Sequence, residues 1–173
     1  AIIFSDILMV PFSLGQQVKF EKDKGPVLSL FNLDNFLKNN KVSFLNKLEP
    51  VYKAITTTRN NLKKEKSLIA FIGAPWTLII YMFGLKKNKN QIDIDKLINL
   101  ESEIKIVLNK INDYLCAHIF EQIKAGADTV QIFDSWAGLL PDEKLFDFCF
   151  DPNKKIVDFC KKKKYLSFVS REV

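Results

Sequence analysis

Residues 67–85 read Ser-Leu-Ile-Ala-Phe-Ile-Gly-Ala-Pro-Trp-Thr-Leu-Ile-Ile-Tyr-Met-Phe-Gly-Leu, with no charged side chain among them. The stretch is long enough to cross a bilayer. Its internal punctuation argues for something else. Gly73-Ala74-Pro75 interrupts the run, and residues 68–72 form an apolar block of the length expected for a buried strand. Pro75 suits the first position of a helix, where a missing N–H costs nothing. The stretch therefore predicts a strand, a tight turn and a buried helix over residues 75–84, and no membrane span.

The same alternation recurs on either side. Residues 2–7 read as a first strand, and residues 13–26 as an irregular excursion turning at Gly15 and Gly25. Leu45, Leu48, Tyr52 and Ile55 are spaced as on one helix face, which predicts a helix over residues 45–64. Residues 88–95 are polar and read as loop. A long amphipathic helix follows over residues 102–124, with Ile104, Leu108, Ile111, Leu115, Ile119 and Ile123 along one side and Gly126 as its C-cap. Residues 129–133 read as a third strand, residues 142–163 as mostly helical with a break near Pro152, and residues 165–169 as a fourth strand.

Strands alternating with helices predict βαβ units and a parallel sheet. There is no GxGxxG and no Walker lysine loop, so the common nucleotide-binding versions lose their support. A closed βα barrel takes about 250 residues and eight strands. The chain has 173 residues, opens directly in a strand and stops just after another. The expectation is α/β: part of a TIM (β/α)8 barrel with about four βα units, in a single partial domain over residues 1–173, truncated at both ends.

A composition of 47% hydrophobic and 27% charged residues is that of a globular chain. Cys116, Cys149 and Cys160 form no CxxC, which argues for a reducing, cytoplasmic setting and against a thiolate zinc site. His118 is the only histidine, so a multi-histidine metal site is excluded; it reads as an ordinary half-exposed helix residue. The net charge of +6 rests on lysine runs such as Lys63-Lys64, Lys86-Lys87 and Lys161 to Lys164. These read first as solvated helix ends and second as an attraction for an anionic ligand. They lack interleaved aromatics, so nucleic-acid binding is not expected.

Barrel chemistry is done at the carboxyl ends of the strands. Those ends carry Ser5-Asp6, Gly73-Ala74-Pro75-Trp76 and Asp134-Ser135-Trp136-Ala137-Gly138. Strand alternation sets Phe4, Asp6 and Leu8 on one side, and an aspartate between apolar neighbours is costly to bury unless it binds something. A cap at a strand end is the alternative role. Tyr81, about two helical turns beyond Pro75, could reach the same mouth, although alone it reads first as a core tyrosine. Asp134 alternates away from Ser135, which assigns it a structural hydrogen-bonding role.

Taken together, Ile3-Phe4-Ser5-Asp6-Ile7-Leu8, Gly73-Ala74-Pro75-Trp76-Thr77 with Tyr81-Met82, and Gln131-Ile132-Phe133-Asp134-Ser135-Trp136-Ala137-Gly138 resemble the uroporphyrinogen decarboxylase family in order and approximate spacing. Gly15 and the Gly25-Pro26-Val27 turn fit the same pattern. The resemblance implies a TIM-barrel lyase of haem biosynthesis, a homodimer when full-length, that decarboxylates the acetate side chains of uroporphyrinogen to give coproporphyrinogen. It implies no cofactor and no metal, an anionic tetrapyrrole as substrate, and neither nucleic acid nor membrane as partner. Asp6 matches the family's catalytic aspartate, which binds the central pyrrole NH groups. Tyr81 and Ser135 match substrate-binding positions, and Phe71 and Phe133 match apolar residues of the cleft. Two parts of the family pattern have no counterpart here, an arginine-rich segment before the first strand and a C-terminal half bearing a histidine. A corrinoid-linked methyltransferase of the same barrel superfamily is the alternative enzyme, and an inactive barrel remnant with a binding role the non-enzymatic one.

Four strands leave two open sheet edges, and the helices lack part of their packing. The isolated 173-residue chain is expected to aggregate or to be molten, and to lack decarboxylase activity. Size-exclusion chromatography with thermal denaturation checks this; a soluble monomer with one cooperative transition would count against it.

Overall fold

The computed structural model describes residues 1–22, 25–88, 90–163 and 168–171, the last group through its backbone. Its centre is a parallel sheet. β3 (Ile69–Gly73) pairs in register with β6 (Thr129–Phe133), from Ile69↔Thr129 to Gly73↔Phe133. β7 (Phe168–Arg171) adds to the far side of β6, again parallel. On the free edge of β3, Ile2 makes a single parallel bridge to Ile69.

That bridge is what remains of the strand expected over residues 2–7. The Ile3 N–H donates to the Ile69 carbonyl, after which the chain leaves the sheet. The cause is local: the Asp6 carboxylate accepts from the Leu8 N–H at 2.8 Å, and the Asp6 carbonyl accepts from Met9. An aspartate that bonds its own backbone this way competes with a sheet ladder. The short helix α1 (Met9–Ser13) follows directly. The fourth strand also differs: it covers Phe168–Arg171, and residues 165–167 of the expectation lie outside the described residues.

Between these strands the chain is more ordered than its sequence suggests. Residues expected to form an irregular excursion contain a hairpin, β1 (Val18–Glu21) with β2 (Gly25–Leu28), and Gly15 and Gly25 adopt the positive φ that suits glycine. α2 (Leu33–Leu37) and α3 (Lys41–Lys47) carry side-chain caps from Asn32 and Asn40. The helix expected over residues 45–64 is divided, because α4 (Glu49–Asn61) restarts with Pro50 in its first turn, where it has no N–H to give back to α3. The expected polar loop is a small hairpin, β4 (Lys86–Asn88) with β5 (Gln91–Ile92), leading into α6 (Ile94–Asn99) under an Asp93 cap.

The uncharged stretch behaves as expected. β3 and α5 (Pro75–Met82) are separated by Ala74, and Trp76, Leu78, Ile79 and Ile80 are fully buried. Burying each such side chain contributes about 1.5–3 kcal/mol relative to exposure, so α5 is fixed in place. No helix among the described residues is long and apolar enough to cross a membrane.

The long helix α7 (Glu101–Lys124) lays Ile104, Leu108, Ile111, Leu115 and Ile119 into the core, and Gly126 beyond it takes φ +115°. α8 (Asp142–Leu145) runs through a π turn at Phe146–Phe150 into α9 (Asp151–Lys162), with Pro152 just inside. His118, expected to be half-exposed, is 3% exposed. It faces inward from α7, and its Nδ1 shares a 2.9 Å hydrogen bond with the Tyr52 hydroxyl on α4. The sequence misleads here because the apolar face of α7 is wider than the stripe of aliphatic residues that marks it.

Burial holds the His118 pKa down at about 3, far below its ordinary value. The imidazole is neutral in the folded protein and charges on unfolding below about pH 6.5. Its contribution to stability is therefore complete above about pH 6.5 and is lost as pH falls toward about 3, at up to about 1.4 kcal/mol per unit. Urea unfolding at pH 7, 6 and 5 is expected to show that slope, and His118→Gln to flatten it.

Candidate functional site

The carboxyl ends of β3 and β6 are joined beyond the ladder itself. Ala74 donates its N–H to the Phe133 carbonyl at 2.8 Å, so the pairing runs into the turn before α5. Above it, the Trp76 indole N–H reaches the Trp136 carbonyl at 3.3 Å. Thr77, in the first turn of α5, donates its hydroxyl to Asp134 Oδ1 at 2.9 Å and accepts the Ser135 N–H at 3.0 Å. Asn153 of α9 donates to Asp134 Oδ2 at 3.0 Å, and the Cys149 thiol in the π turn also bonds this carboxylate.

Burial raises the Asp134 pKa above the usual carboxylate range, and the hydrogen bonds from Thr77, Asn153 and Cys149 oppose that rise. Burial, followed by the Asp134 charge, pushes the Cys149 thiol well above its usual value. This thiol is a hydrogen-bond donor and no nucleophile. Asp134 thus has the structural role its alternation predicted.

The three expected site residues come to this end of the sheet by different routes. Ser135 is exposed and is held through its own N–H. Tyr81 is half-buried at the end of α5, with its ring edge-on to Trp136 at 6.2 Å, so the neighbour of Ser135 brings the two elements together. Asp6 is exposed, in the turn before α1, and does not form the buried charge that strand alternation predicts. Its segment is anchored by Ile7, which packs so closely on Gly73 that a Cβ there would lie 3.2 Å from the Ile7 Cβ. Among the described residues, no hydrogen bond joins Asp6, Tyr81 and Ser135 to one another.

An aromatic run lines the sheet face opposite the helices. Phe4 is 84% exposed and covers Phe71 at 5.1 Å between ring centroids, and Phe71 meets Phe133 edge-on at 5.4 Å. Sequence reasoning gave no role to Thr77 or Asn153, and it read Lys86 only as part of a lysine run; the Lys86 ammonium lies 5.4 Å from the Trp136 ring centre. A threonine in a helix's first turn facing an aspartate after the next strand is a signal only once the strand pairing is known. Two hollows among the described residues lie elsewhere, in the helix layer. The larger, about 630 Å³, lies between α3, α7 and α9, lined by residues such as Cys116, Phe120 and Phe159. Among the described residues there is no cluster of metal-ligating side chains.

The sequence model of the family described as uroporphyrinogen decarboxylase (URO-D) matches residues 1–170. The chain belongs to the uroporphyrinogen decarboxylase family. Among the relatives it matches, the uroporphyrinogen decarboxylase of Campylobacter jejuni is 41% identical over 166 residues, 94% of this chain and 49% of the relative. That of Rickettsia bellii is 41% identical over 159 residues, covering 91% and 46%. The chain spans about half the length of the curated relatives it matches. Among solved structures, a methyltransferase from Methanosarcina mazei superposes with a TM-score of 0.59 at 14% identity, covering 98% of this chain and 49% of that one. At that identity the likeness is one of fold.

Gly73 is where the Asp6 segment, β3 and α5 meet in this family member. A Cβ there would lie 3.1 Å from Leu78 Cδ2 and 3.2 Å from Ile7 Cβ. The leucine tip can turn aside, whereas the Ile7 Cβ moves only with its backbone. Gly73→Ala is expected to cost about 1–3 kcal/mol. A lowered urea midpoint at unchanged slope checks it.

Proposed function

We propose that these residues form part of an enzyme that converts uroporphyrinogen to coproporphyrinogen by decarboxylating its acetate side chains, a carboxy-lyase step of haem biosynthesis. The observation that carries this is the identity of about 41% to uroporphyrinogen decarboxylases over 94% of the chain. The packing of Tyr81 on Trp136, next to Ser135, and of Ile7, next to Asp6, on Gly73 supports the same reading. The parallel order of the Ile2 bridge, β3, β6 and β7, in which each strand of this sheet lies beside the next one of the same sheet, supports a partial (β/α)8 barrel. The full-length enzyme is, on this proposal, a cytoplasmic homodimer that needs neither cofactor nor metal and has no nucleic-acid or membrane partner.

The chemistry requires an electron sink, because a pyrrole acetate has no ketone to accept the electrons left by departing carbon dioxide. Protonation of the ring carbon makes the pyrrole that sink, with positive charge spread to its nitrogen. The bond to the carboxylate carbon then breaks and its electron pair neutralises the ring. The exocyclic carbon takes up a proton and the ring carbon gives one back, so the net change is one proton in and one carbon dioxide out.

A fixed carboxylate beside the pyrrole NH stabilises charge that exists only once the ring is protonated, which is differential stabilisation of the transition state. Asp6 suits that task. One oxygen is tied to the Leu8 N–H, which orients the group, and the side chain as a whole is exposed. Tyr81 and Ser135 offer hydroxyls to the substrate's carboxylates, and Phe4, Phe71 and Phe133 offer an apolar floor for the macrocycle.

The test is single-turnover decarboxylation of uroporphyrinogen by the full-length enzyme under anaerobic conditions. Asp6→Asn keeps the shape and removes the charge. Its rate is expected to fall by about 10²–10³, more than its affinity does, because a preorganised group of this kind is worth about that much. Asp6→Glu keeps the charge, displaced by one methylene, and is expected to retain part of the rate. An unchanged single-turnover rate in Asp6→Asn would restrict Asp6 to positioning substrate.

A further inference from the structure

We infer that Thr77 and Asp134 form a positioning couple that presents Ser135 to the substrate, so that a helix turn and a strand end act together through one hydroxyl. The inference rests on the proposed function for the substrate itself, while the couple rests on the geometry. A backbone N–H can only donate, so Thr77 Oγ1 must be the acceptor for Ser135. A hydroxyl has one proton to give, and Thr77 gives it to Asp134 Oδ1. The direction of the chain is thereby fixed, from the Ser135 N–H to the Thr77 hydroxyl to the Asp134 carboxylate. Each link polarises the next, and the mostly buried setting strengthens both.

The acceptor at the end of this chain is itself held in place. Asn153 donates to Asp134 Oδ2 from α9, and Cys149 donates from the π turn. A π turn inside a helix commonly accompanies a functional site, and this one contains Cys149. Four elements thus converge on one carboxylate: the end of β6, the first turn of α5, the π turn and α9. Ser135 is the exposed residue at which the arrangement ends. Moving its backbone moves its hydroxyl and also Trp136, against which Tyr81 packs. Thr77 and Asp134 act on the substrate only through these neighbours and are positioning residues.

The experiment uses the full-length enzyme with Thr77→Val, Thr77→Ser and Ser135→Ala. Thr77→Val matches the threonine in shape and leaves Asp134 with its Asn153 and Cys149 donors, so the fold is retained. Hydrogen exchange of the Ser135 amide is read without substrate, and KM and kcat are read with uroporphyrinogen. Thr77→Val is expected to speed the exchange and to raise KM about fivefold to tenfold with kcat little changed, the scale of one hydrogen bond. Thr77→Ser, which keeps the hydroxyl, is expected to restore both. In the Thr77→Val, Ser135→Ala double variant the two effects on KM should fail to add, since both act through one residue.

If Ser135→Ala raises KM while Thr77→Val changes neither exchange nor KM, the couple does not position Ser135 and the inference falls. The same holds if Thr77→Ser behaves like Thr77→Val. If Thr77→Val speeds exchange while Ser135→Ala leaves KM unchanged, the couple stands and the assignment of Ser135 to the substrate is what fails.

Discussion

The in-register parallel pairing of β3 with β6 is the constraint on which the other elements depend. Parallel strands cannot be closed by a tight turn, so both ends of the pair must be secured by other means. Each end is secured by an aspartate one residue outside β6. At the amino end, Asp128 Oδ2 accepts the Leu68 N–H at 2.7 Å and pairs with Arg59 at 2.9 Å. Arg59 also donates to the carbonyls of Leu62, Lys63 and Lys66, tying the end of α4 and its loop to the start of β3. At the carboxyl end, Asp134 gathers Thr77, Cys149 and Asn153.

The two clamps differ in kind. The Arg59–Asp128 pair is partly exposed, and the charge attraction of such pairs is worth about 0–1 kcal/mol. Its holding power lies in the backbone carbonyls it satisfies. Gly126 lies so close to Arg59 that a Cβ there would come within 2.7 Å of Cγ, so the amino-end clamp is packed as well as bonded. The clamp at the carboxyl end is mostly buried and built from neutral donors around a single carboxylate, which makes its geometry more exacting. Stability concentrates at one end of the sheet and the candidate chemistry at the other, the division usual for βα folds.

The sequence made legible whatever followed from apolar periodicity and punctuation. The uncharged run interrupted at Pro75 predicted β3 and α5, and the aliphatic stripe from Ile104 to Ile119 predicted α7. It failed where a polar side chain bonds its own backbone or where a long-range partner decides. Asp6 ended a strand by capping Leu8, an outcome that spacing alone leaves open. Pro50 divided a helix whose apolar spacing runs straight through it. His118 lies inside because the buried face of α7 extends past its aliphatic stripe, and there it meets Tyr52, sixty-six positions away in the chain. The candidate site shows the same pattern: Tyr81, Ser135 and Asp134 were visible in motifs, while Thr77 and Asn153 acquire meaning only when the strand ends are placed side by side.

Asp6 and Asp134 both lie at the carboxyl ends of expected strands, and alternation already assigned Asp134 a structural role. The structure separates them by counting donors. Asp134 receives hydrogen bonds on both oxygens, from Thr77, Asn153 and Cys149, so its charge is already committed to holding protein in place. Among the described residues Asp6 receives one, from Leu8, and its side chain is otherwise exposed. On the proposed function, a carboxylate that must respond to charge appearing on a bound ring cannot be saturated beforehand, because committed donors would compete with the ring for the same lone pairs. It must still be oriented, because a freely rotating group has to be reorganised at the moment of reaction. One donor meets both demands of that proposal, and the turn between the Ile2 bridge and α1 supplies one, the Leu8 N–H.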